Sequence, residues 1–270
     1  MVLDQHNADE RFWETYARQG PPWVRFAGAL NLWKLRRFQG FVLQGVDVIL
    51  SVSDEDAAFT RGRLPNPSIE VWVVPNGVDT EEFRPLDGRE PKNRIIFCGA
   101  MDVLMNIDAV DWFARRIFPK VREGIPDAEF WIVGRDPVPK VKALESLTGV
   151  RVTGRVEDVK SYYAKAKVAV APFHYGGGTK LKVLEAMALG VAVVATPIGC
   201  QGIEAVHGKH LFIEETEEGL IERVVHLLED ERLREQMAIP ARRLVEERYS
   251  WHSIMSDAIK RLEDLVKDRQ

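Results

Sequence analysis

Short runs of β-branched and other apolar residues alternate along the chain with longer stretches of helical periodicity. This alternation is typical of repeated βα units, whose strands form a parallel sheet that is buried on both faces. The pattern therefore predicts an α/β fold. The predicted strands cover residues 2–4, 46–52, 70–74, 94–98, 129–133, 150–153, 167–171, 191–195 and 210–213.

Helical periodicity fills most of the sequence between these strands. The predicted helices lie near residues 54–62, 106–123, 138–147, 157–165, 179–189, 217–229, 231–248 and 251–267. A cluster of Pro, Asn and Gly at residues 75–79 and again at 83–88 interrupts the pattern and marks a linker at 76–92. The six strands after it predict one complete doubly wound domain. The three strands before it predict only a partial α/β domain, whose sheet would leave an unpaired edge.

Composition and charge narrow the class of protein. The 270 residues are 46% hydrophobic, enough to bury the core of one large or two modest domains. The net charge of −4 and the pI near 5.9 lack the basic footprint of a dedicated nucleic-acid-binding protein, so we expect no nucleic-acid partner. Cys98 and Cys200 are far apart and lack the spacing of a zinc site or a disulfide framework, which predicts two buried thiols.

Two features bear on the cellular compartment. The N-terminal residues lack the basic and apolar run of a signal peptide, and no segment approaches 18 uncharged apolar residues, so we expect a cytoplasmic protein. The segment 23–41 mixes five aromatic residues with four basic ones. It fits a domain helix with its aromatic side chains packed inward, which is our expectation. It also fits a helix that rests on the anionic inner face of a membrane.

A glycine-rich loop follows the strand at 167–171. Gly176, Gly177 and Gly178 stand directly before a predicted helix that begins near Thr179. Consecutive glycines let the backbone approach a ligand closely, and the free N–H groups at a helix start form an anion site that the helix dipole reinforces. A phosphate or diphosphate is the expected occupant.

Charged residues of the helix after this loop suit the same ligand. Lys180 and Lys182 lie in the first turn, where the helix dipole disfavours cations unless a bound anion offsets the cost. Glu185 lies about one turn further and could accept hydrogen bonds from the vicinal hydroxyls of a ribose. A helix-face glutamate paired with Lys182 is the other interpretation. Since neither a P-loop nor a GxGxxG spacing is present, the residues alone leave both open.

Taken in order and spacing, several short segments resemble one family. The chain resembles the retaining GT-B glycosyltransferases of the "glycosyl transferases group 1" type, in particular those of surface-polysaccharide synthesis. The segments that carry the resemblance are residues 75–79 with Phe83 and Pro85, 97–99, 130–134, 150–156 with Asp158, 176–190, 193–196 and 249–251.

The resemblance implies a fold and an activity. In a GT-B enzyme two α/β domains face each other, and the C-terminal, Rossmann-like one binds the nucleotide sugar. Residues 1–75 would be a partial acceptor-side domain, 93–248 the donor-binding domain, and 249–270 a helix that packs back on the N-terminal part. The implied reaction moves a hexose-type unit from a UDP- or GDP-sugar to a glycan or lipid-linked acceptor with retention of configuration. It needs no cofactor and no metal.

The resemblance also assigns roles to individual residues. Glu185 falls on the glutamate that holds the ribose, whereas Gly177 stands where relatives carry a second glutamate. The loop after the strand at 94–98 has no Lys or Arg, so Lys180 or Lys182 is the expected cation for the diphosphate. The implied donor-binding residues are Gly99, Gly154, Arg155, Val156, Gly176, Gly177, Gly178, Thr179, Leu181 and Glu185, and the implied catalytic residues are His6, Lys180 and Lys182.

Two of these assignments have specific alternatives or conditions. Arg155 could instead form a surface salt bridge with Glu157 or Asp158. His6 comes just after the first strand, where several relatives place a histidine that points toward the donor sugar and diphosphate. A lone histidine near a terminus is otherwise usually an exposed surface residue. Family members normally begin with a full N-terminal domain, which is only partly present here. A second copy or a partner chain could therefore complete it, and a noncatalytic donor-binding subunit or a GT-B epimerase stays as an alternative function.

Overall fold

The computed structural model describes residues 1–5, 9–18, 22–64, 66–85 and 91–267. The chain divides into two compact units, Met1–Pro75 and Asn76–Gln270. The boundary lies within the turn-rich segment that begins at Pro75. Each unit has its own parallel sheet and its own core. The predicted α/β fold is therefore confirmed.

The first unit contains a three-stranded parallel sheet in the order β1-β2-β3. A short helix follows β2, and Ser53 is its N-cap. The Ser53 hydroxyl accepts a hydrogen bond from the amide of Asp56 at 3.1 Å. Among the described residues of this unit, the core is small and consists of five buried residues with a few half-buried neighbours. The elements are β1 (Val2–Gln5), α1 (Asp9–Arg18), α2 (Pro22–Val42), β2 (Val48–Ser51), α3 (Asp54–Arg61) and β3 (Glu70–Val73).

The helix α2 turns its aromatic residues outward, so the expectation of inward packing is wrong. Five aromatic side chains of α2 are between 58% and 75% exposed. The reason is the face that α2 offers to α1: Gly28 is buried, and Arg36 forms ion pairs with Glu10 and Glu14 of α1. A glycine and an arginine thus occupy the side where apolar residues were expected. The exposed aromatic residues are Trp23, Phe26, Trp33, Phe38 and Phe41.

The second unit is built on six parallel strands in the order β6-β5-β4-β7-β8-β9. The central strands are buried runs, as shown by Ile95 and Ile96 of β4, which have no exposed surface. All six predicted strands of this unit are present, with bounds that differ by a few residues at most. They are β4 (Lys92–Cys98), β5 (Glu129–Val133), β6 (Val150–Gly154), β7 (Ala166–Ala171), β8 (Ala192–Ala195) and β9 (Phe212–Ile213).

Helices connect these strands and extend beyond them. The helix predicted at 106–123 is continuous but contains a π-helical turn, Phe113–Ile117, which ends two residues before Pro119. Proline lacks an N–H and clashes with the carbonyl four residues before it, so the regular α-helical hydrogen-bond pattern cannot pass this point. The α-helices of the unit are α4 (Leu104–Trp112), α5 (Phe118–Gly124), α6 (Pro139–Lys142), α7 (Lys160–Tyr163), α8 (Leu181–Ala188), α9 (Glu217–Glu229), α10 (Glu231–Arg248) and α11 (Trp251–Lys267).

The C-terminal segment is tied to the start of the second unit. The amide of Val78 donates to the carbonyl of Tyr249 at 2.8 Å, and the amide of Trp251 donates back to Val78 at 3.2 Å. This isolated bridge explains why residues 76–85 and the last helix belong to one compact unit. That the last helix packs back on the N-terminal part of the chain stays a prediction.

The strand order places a crevice at a defined edge of the six-stranded sheet. Numbered along the second unit, the strands run 3-2-1-4-5-6, so the direction of winding reverses between β4 and β7. In doubly wound sheets, ligands bind at this switch point, beyond the carboxyl ends of the strands. The segments there are the loop after β4, which begins at Gly99, and the glycine loop after β7.

Candidate functional site

The glycine loop after β7 adopts a backbone that needs glycine. Gly176 and Gly178 have φ values of 121° and 72°, in the region that L side chains rarely adopt. A Cβ on Gly176 would also lie 2.9 Å from the sulfur of Met105, whereas a Cβ on Gly177 would meet nothing within 4 Å. The first and third glycines therefore shape the loop, and the second leaves space open.

The amides of this loop are free to bind a ligand. Within the ranges that the structure describes, the N–H groups of Gly176, Gly177 and Gly178 donate to no protein acceptor. The helix α8 begins at Leu181 with Lys180 as its N-cap, and no side chain caps it. Unpaired amides at a helix start attract anions. The loop therefore presents unpaired amides at the position where the sequence predicts an anion site, and ligand binding there stays a prediction.

Lys180 holds the loop from inside. Its side chain is buried, and its ammonium donates to the carbonyls of Gly177 at 2.7 Å and Gly178 at 2.9 Å. These bonds turn the loop carbonyls toward a cation and leave the opposite side of the peptide units to the free amides. Lys180 thus stabilises the loop conformation through the hydrogen bonds from its ammonium to these two carbonyls.

The segment after β8 braces the loop from behind. The hydroxyl of Thr196 donates to the carbonyl of Phe173 at 2.6 Å. A Cβ on Gly202 would lie 2.7 Å from the hydroxyl of Thr179, so only a glycine lets this segment pack so closely against the buried threonine. The glycine loop is therefore fixed between two segments of the carboxyl edge.

Lys182 places a second cation at the switch point. Its ammonium donates to the side-chain oxygen of Asn106 at 2.7 Å and lies 4.0 Å from the ring centre of Phe97 and 4.8 Å from that of Phe173. A Cβ on Gly99 would approach the same ammonium to 2.8 Å. Burial lowers the pKa of Lys182 to about 7, so the side chain is partly charged near neutral pH.

Glu185 lies one turn further along α8 and is half-buried. Burial raises the pKa of its carboxyl group, Lys182 opposes this effect, and Glu82 adds to it. The ammonium of Lys182 contacts Asn106 rather than Glu185, so the interpretation of Glu185 as the ion-pair partner of Lys182 is wrong. Among the described residues, no donor hydrogen-bonds to the Glu185 carboxylate. Its oxygen atoms remain available to the hydroxyl groups of a ligand.

Two neutral groups lie beneath α8. The hydroxyl of Tyr163 donates to the carbonyl of Lys182 at 3.2 Å and lies beside the thiol of Cys98. Burial raises the pKa of the Cys98 thiol to about 12, so it stays protonated at physiological pH. Cys98 and Cys200 are both buried and unpaired, which confirms the prediction of two buried thiols.

The residues predicted to flank a nucleotide base follow β6, at the same edge of the sheet but two strands from the switch point. Gly154 has a φ of 70°, and Val156 packs against the core. Arg155 is exposed and, among the described residues, forms no ion pair with Glu157 or Asp158. The surface salt bridge considered for Arg155 is therefore not formed.

Two predicted positions remain, one at the start of α8 and one outside the described residues. Leu181 is 41% exposed at the start of α8. His6 lies outside the described residues.

Among the side chains that the structure describes, no group of three or more His, Cys, Asp or Glu could hold a metal ion. None of the helices in the described ranges combines the length and apolar character that crossing a bilayer requires.

Sequence reasoning missed two residues that organise the site. Asn106 fixes Lys182, yet a single amide 76 positions away in the chain has no local signal that links it to that lysine. Arg242 of α10 donates to the carbonyls of Ala188, at the end of α8, and of Phe83. An arginine in an amphipathic helix is usually a solvated charge, so no local pattern distinguishes Arg242 from its exposed neighbours.

Comparison with known proteins gives the family of this chain. The family described as "Glycosyl transferases group 1" matches residues 92–230. A phosphatidyl-myo-inositol mannosyltransferase of Mycolicibacterium smegmatis is 30% identical over 227 residues, which cover 80% of this chain and 57% of that enzyme. The chain thus spans little more than half the length of this curated relative.

Two solved structures resemble the chain at low sequence identity. Sucrose-phosphate synthase of Thermosynechococcus elongatus matches with a TM-score of 0.71 and 17% identity, over 99% of this chain and 68% of that one. The HepE protein of Anabaena, solved with UDP and glucose, matches with a TM-score of 0.70 and 16% identity, over 97% of this chain and 71% of that one. With the sheet order and the family match, these likenesses establish a GT-B fold, and the chain belongs to the glycosyl transferases group 1 family.

Proposed function

We propose that this chain takes part in sugar transfer from a nucleoside-diphosphate donor to a glycan or lipid-linked acceptor, with retention of configuration. The observation that carries the proposal is the anion site at the switch point. Three free loop amides lie there on the same short segment as two lysines and an available carboxylate. A diphosphate linked to a ribose presents anionic oxygens and vicinal hydroxyls, which these groups complement.

The loop would bind the leaving diphosphate. The amides of Gly176, Gly177 and Gly178 and the ammonium of Lys182 would stabilise the negative charge that develops as the sugar departs. Lys180 would act mainly by fixing the loop, because its ammonium is engaged with the loop carbonyls. Preorganised amides and lysines can supply this stabilisation without a metal ion, so we expect none to be needed.

Other groups would hold the rest of the donor. Glu185 would accept hydrogen bonds from the ribose hydroxyls, and the segment 154–156 would flank the base, with exposed Arg155 beside it. Gly99, Thr179 and Leu181 would line the crevice. His6 lies outside the described residues and stays a proposed catalytic residue. HepE was solved with UDP, and the mycolicibacterial relative is named a mannosyltransferase, so both UDP- and GDP-sugars are candidates.

A noncatalytic donor-binding subunit is the second candidate function that we propose. The chain spans 57% of its mycolicibacterial relative. A donor-binding subunit, completed by a second copy or a partner chain, would keep the anion site and lack transfer when isolated. Release of nucleoside diphosphate from a nucleotide sugar, by the isolated chain with an acceptor mixture, would exclude this candidate.

The exposed face of α2 supports contact with a membrane surface, where a lipid-linked acceptor would be found. Its aromatic side chains are solvent-exposed, and Lys34 and Arg37 lie on the same side of the helix by their spacing from Trp23, Trp33 and Phe41. Aromatic and cationic groups on one helix face suit the headgroup region of an anionic bilayer. We therefore propose a cytoplasmic protein that binds peripherally at the inner face of the membrane.

Ligand-dependent thermal stability tests the central proposal. UDP, GDP and their sugars should each be added to the purified chain, and one set should raise its melting temperature. Glu185→Ala should reduce that increase, because the ribose loses its acceptor. Glu222→Ala, which removes an exposed glutamate from α9, is the matched control and should respond as the parent does. Equal responses of the parent and Glu185→Ala to every nucleotide would reject the assigned site.

A further inference from the structure

The loop after β4 carries no basic residue, yet Asn106, in the first turn of the helix α4 that follows this loop, contacts the ammonium of Lys182 in α8. The side chain of Asn106 is 7% exposed. Its oxygen accepts a hydrogen bond from the Lys182 ammonium at 2.7 Å, and its NH₂ group donates to the carbonyl of Ala100 at 2.8 Å. One buried amide therefore connects the two segments that flank the switch point.

We propose that Asn106 is a positioning residue that holds the ammonium of Lys182 at the switch point and favours its charged form there, ready for the donor diphosphate. The inference rests on the proposed function of the site. In this arrangement, one lysine from α8 serves where a basic residue of the loop after β4 would otherwise be expected. Asn106 acts through Lys182 and need not contact the donor itself.

The packing around Lys182 explains why a fixed partner matters. A lysine side chain has four flexible carbon–carbon bonds and would otherwise sample many positions. Here the ammonium packs over the rings of Phe97 and Phe173. A side chain at position 99 would clash with it, so Gly99 keeps its position open. An ammonium has three donors, and Asn106 accepts one of them, which leaves two for an anion.

The charges around Lys182 leave its protonation finely balanced. Burial is the main cause that lowers its pKa to about 7, the charge of Lys180 also lowers it, and Glu185 raises it. The Cys98 thiol and the Tyr163 hydroxyl both have raised pKa values and are neutral at physiological pH. The oxygen of Asn106 is therefore a direct, neutral acceptor that stabilises the ammonium when no anion is bound.

This balance predicts that ligand affinity changes with pH and that Asn106 determines the pH at which it changes. A ligand of constant charge should bind most tightly where Lys182 is protonated, and its affinity should fall as pH rises above about 7. Removing the Asn106 oxygen removes a hydrogen bond to the charged form. Losing such a hydrogen bond should lower the pKa of Lys182 by about one unit or slightly more.

Calorimetric titration between pH 6.0 and 8.5 tests the proposal. UDP-glucose and GDP-mannose are suitable probes, because their diphosphate diesters keep the same charge across this range. In the wild type, the affinity for one of them should fall above pH 7. Asn106→Ala should move the midpoint of that fall down by about one pH unit. Asn106→Asp should move it up, because a carboxylate stabilises the ammonium, while the affinity at low pH decreases.

The pair of substitutions separates positioning from loop damage. Both remove the donor to Ala100, so damage to the loop alone would change the two variants in the same direction. Asn93→Ala is a matched control. The side-chain oxygen of Asn93 likewise accepts a hydrogen bond from an ammonium, that of Lys167, at 2.7 Å, but Asn93 lies at the start of β4, away from the switch point. Its pH profile should match the wild type. Lys182→Met should lose the pH dependence together with most of the affinity.

A measurement without ligand separates the role of Asn106 from the proposed nucleotide-sugar binding. The ¹³Cε resonance of Lys182, assigned by its absence in Lys182→Met, should titrate near pH 7 in the wild type, lower in Asn106→Ala and higher in Asn106→Asp. An unchanged titration in Asn106→Ala would overturn the role of Asn106. A wild type that binds neither nucleotide sugar at any pH would overturn the proposed function instead, whatever the resonance reports.

Discussion

The guanidinium of Arg242 donates to the carbonyl of Ala188, the last residue of α8. The same group reaches the carbonyls of Phe83 at 3.1 Å and Thr80 at 3.3 Å and forms an ion pair with Glu246 at 2.8 Å. Arg242 therefore satisfies backbone oxygen atoms at the end of the helix that carries Lys182 and Glu185. It also fastens the segment that follows the boundary at Pro75.

Replacing Arg242 should destabilise the second unit. Arg242→Met leaves half-buried carbonyls without a donor, and hydrogen bonds to charged groups are worth about 1.5–3 kcal/mol. The free energy of unfolding, measured by urea denaturation, should fall by about that amount. Arg243→Met, which removes the exposed neighbouring arginine, should change it by less than about 0.5 kcal/mol. Equal effects of the two substitutions would contradict the role given to Arg242.

Gly134 should tolerate no side chain. A Cβ at this position would lie 1.7 Å from the carbonyl oxygen of Gly99, and its φ is 152°. Gly134→Ala should therefore abolish soluble expression or lower the melting temperature by well over 10 °C, because the two loops must separate. Gly208→Ala is the control: φ is 74° but nothing lies within 4 Å, so only the backbone strain of about 1–2 kcal/mol applies.

Two adjacent glycines should differ in their effect on nucleotide affinity. Gly176→Ala forces a left-handed backbone to change and pushes against Met105, so the loop amides should move and the affinity for UDP or GDP should fall at least about tenfold. Gly177→Ala meets open space and should change affinity by less than about threefold in the same calorimetric assay. A reversed order of the two effects would show that the amide geometry does not control binding.

The charge of Lys182 should make folding stability depend on pH. Its pKa is lowered in the folded protein, so the unfolded chain binds more protons above pH 7, and stability rises with pH. Lys182→Met should be more stable than the wild type at pH 6, where the wild type buries a charge. By pH 8.5 that difference should shrink by about 2 kcal/mol. Parallel stability curves for the two proteins would contradict the lowered pKa.

Membrane binding should depend on the exposed face of α2. Sedimentation with vesicles that contain anionic phosphatidylglycerol should retain the wild type, whereas vesicles of phosphatidylcholine alone should retain far less. Trp33→Ser with Phe41→Ser should lose most of the bound fraction. Ile259→Ser, in the exposed face of α11, is the matched control. Retention of the double variant at wild-type level would exclude α2 as the contact.

Much of the second unit could be predicted from sequence because its strands are continuous apolar runs. The strands at 94–98 and 129–133 stand out since both of their faces are buried, and the glycine loop stands out because its φ values demand glycine. These are local signals, carried by neighbouring residues. The glycine loop before α8 was predictable for the same reason.

The features that sequence missed depend on contacts between distant positions. The inward packing expected for α2 failed because Arg36 and the glutamates of α1 determine which face is covered, and no periodicity in α2 reports that partner. Asn106 and Arg242 act on residues 76 and 54 positions away, respectively. Only the strand order brings such pairs together.

The bracing of the glycine loop bears on how donor preference can diversify. The groups proposed for the diphosphate and the ribose lie on one stretch of ten residues, 176–185, which the segment after β8 supports through Thr196 and Gly202. The segment proposed for the base follows β6, two strands away. Substitutions after β6 would therefore change which nucleotide is accepted without disturbing the groups proposed for the diphosphate at 176–185. Laboratory evolution aimed at a new donor would begin there.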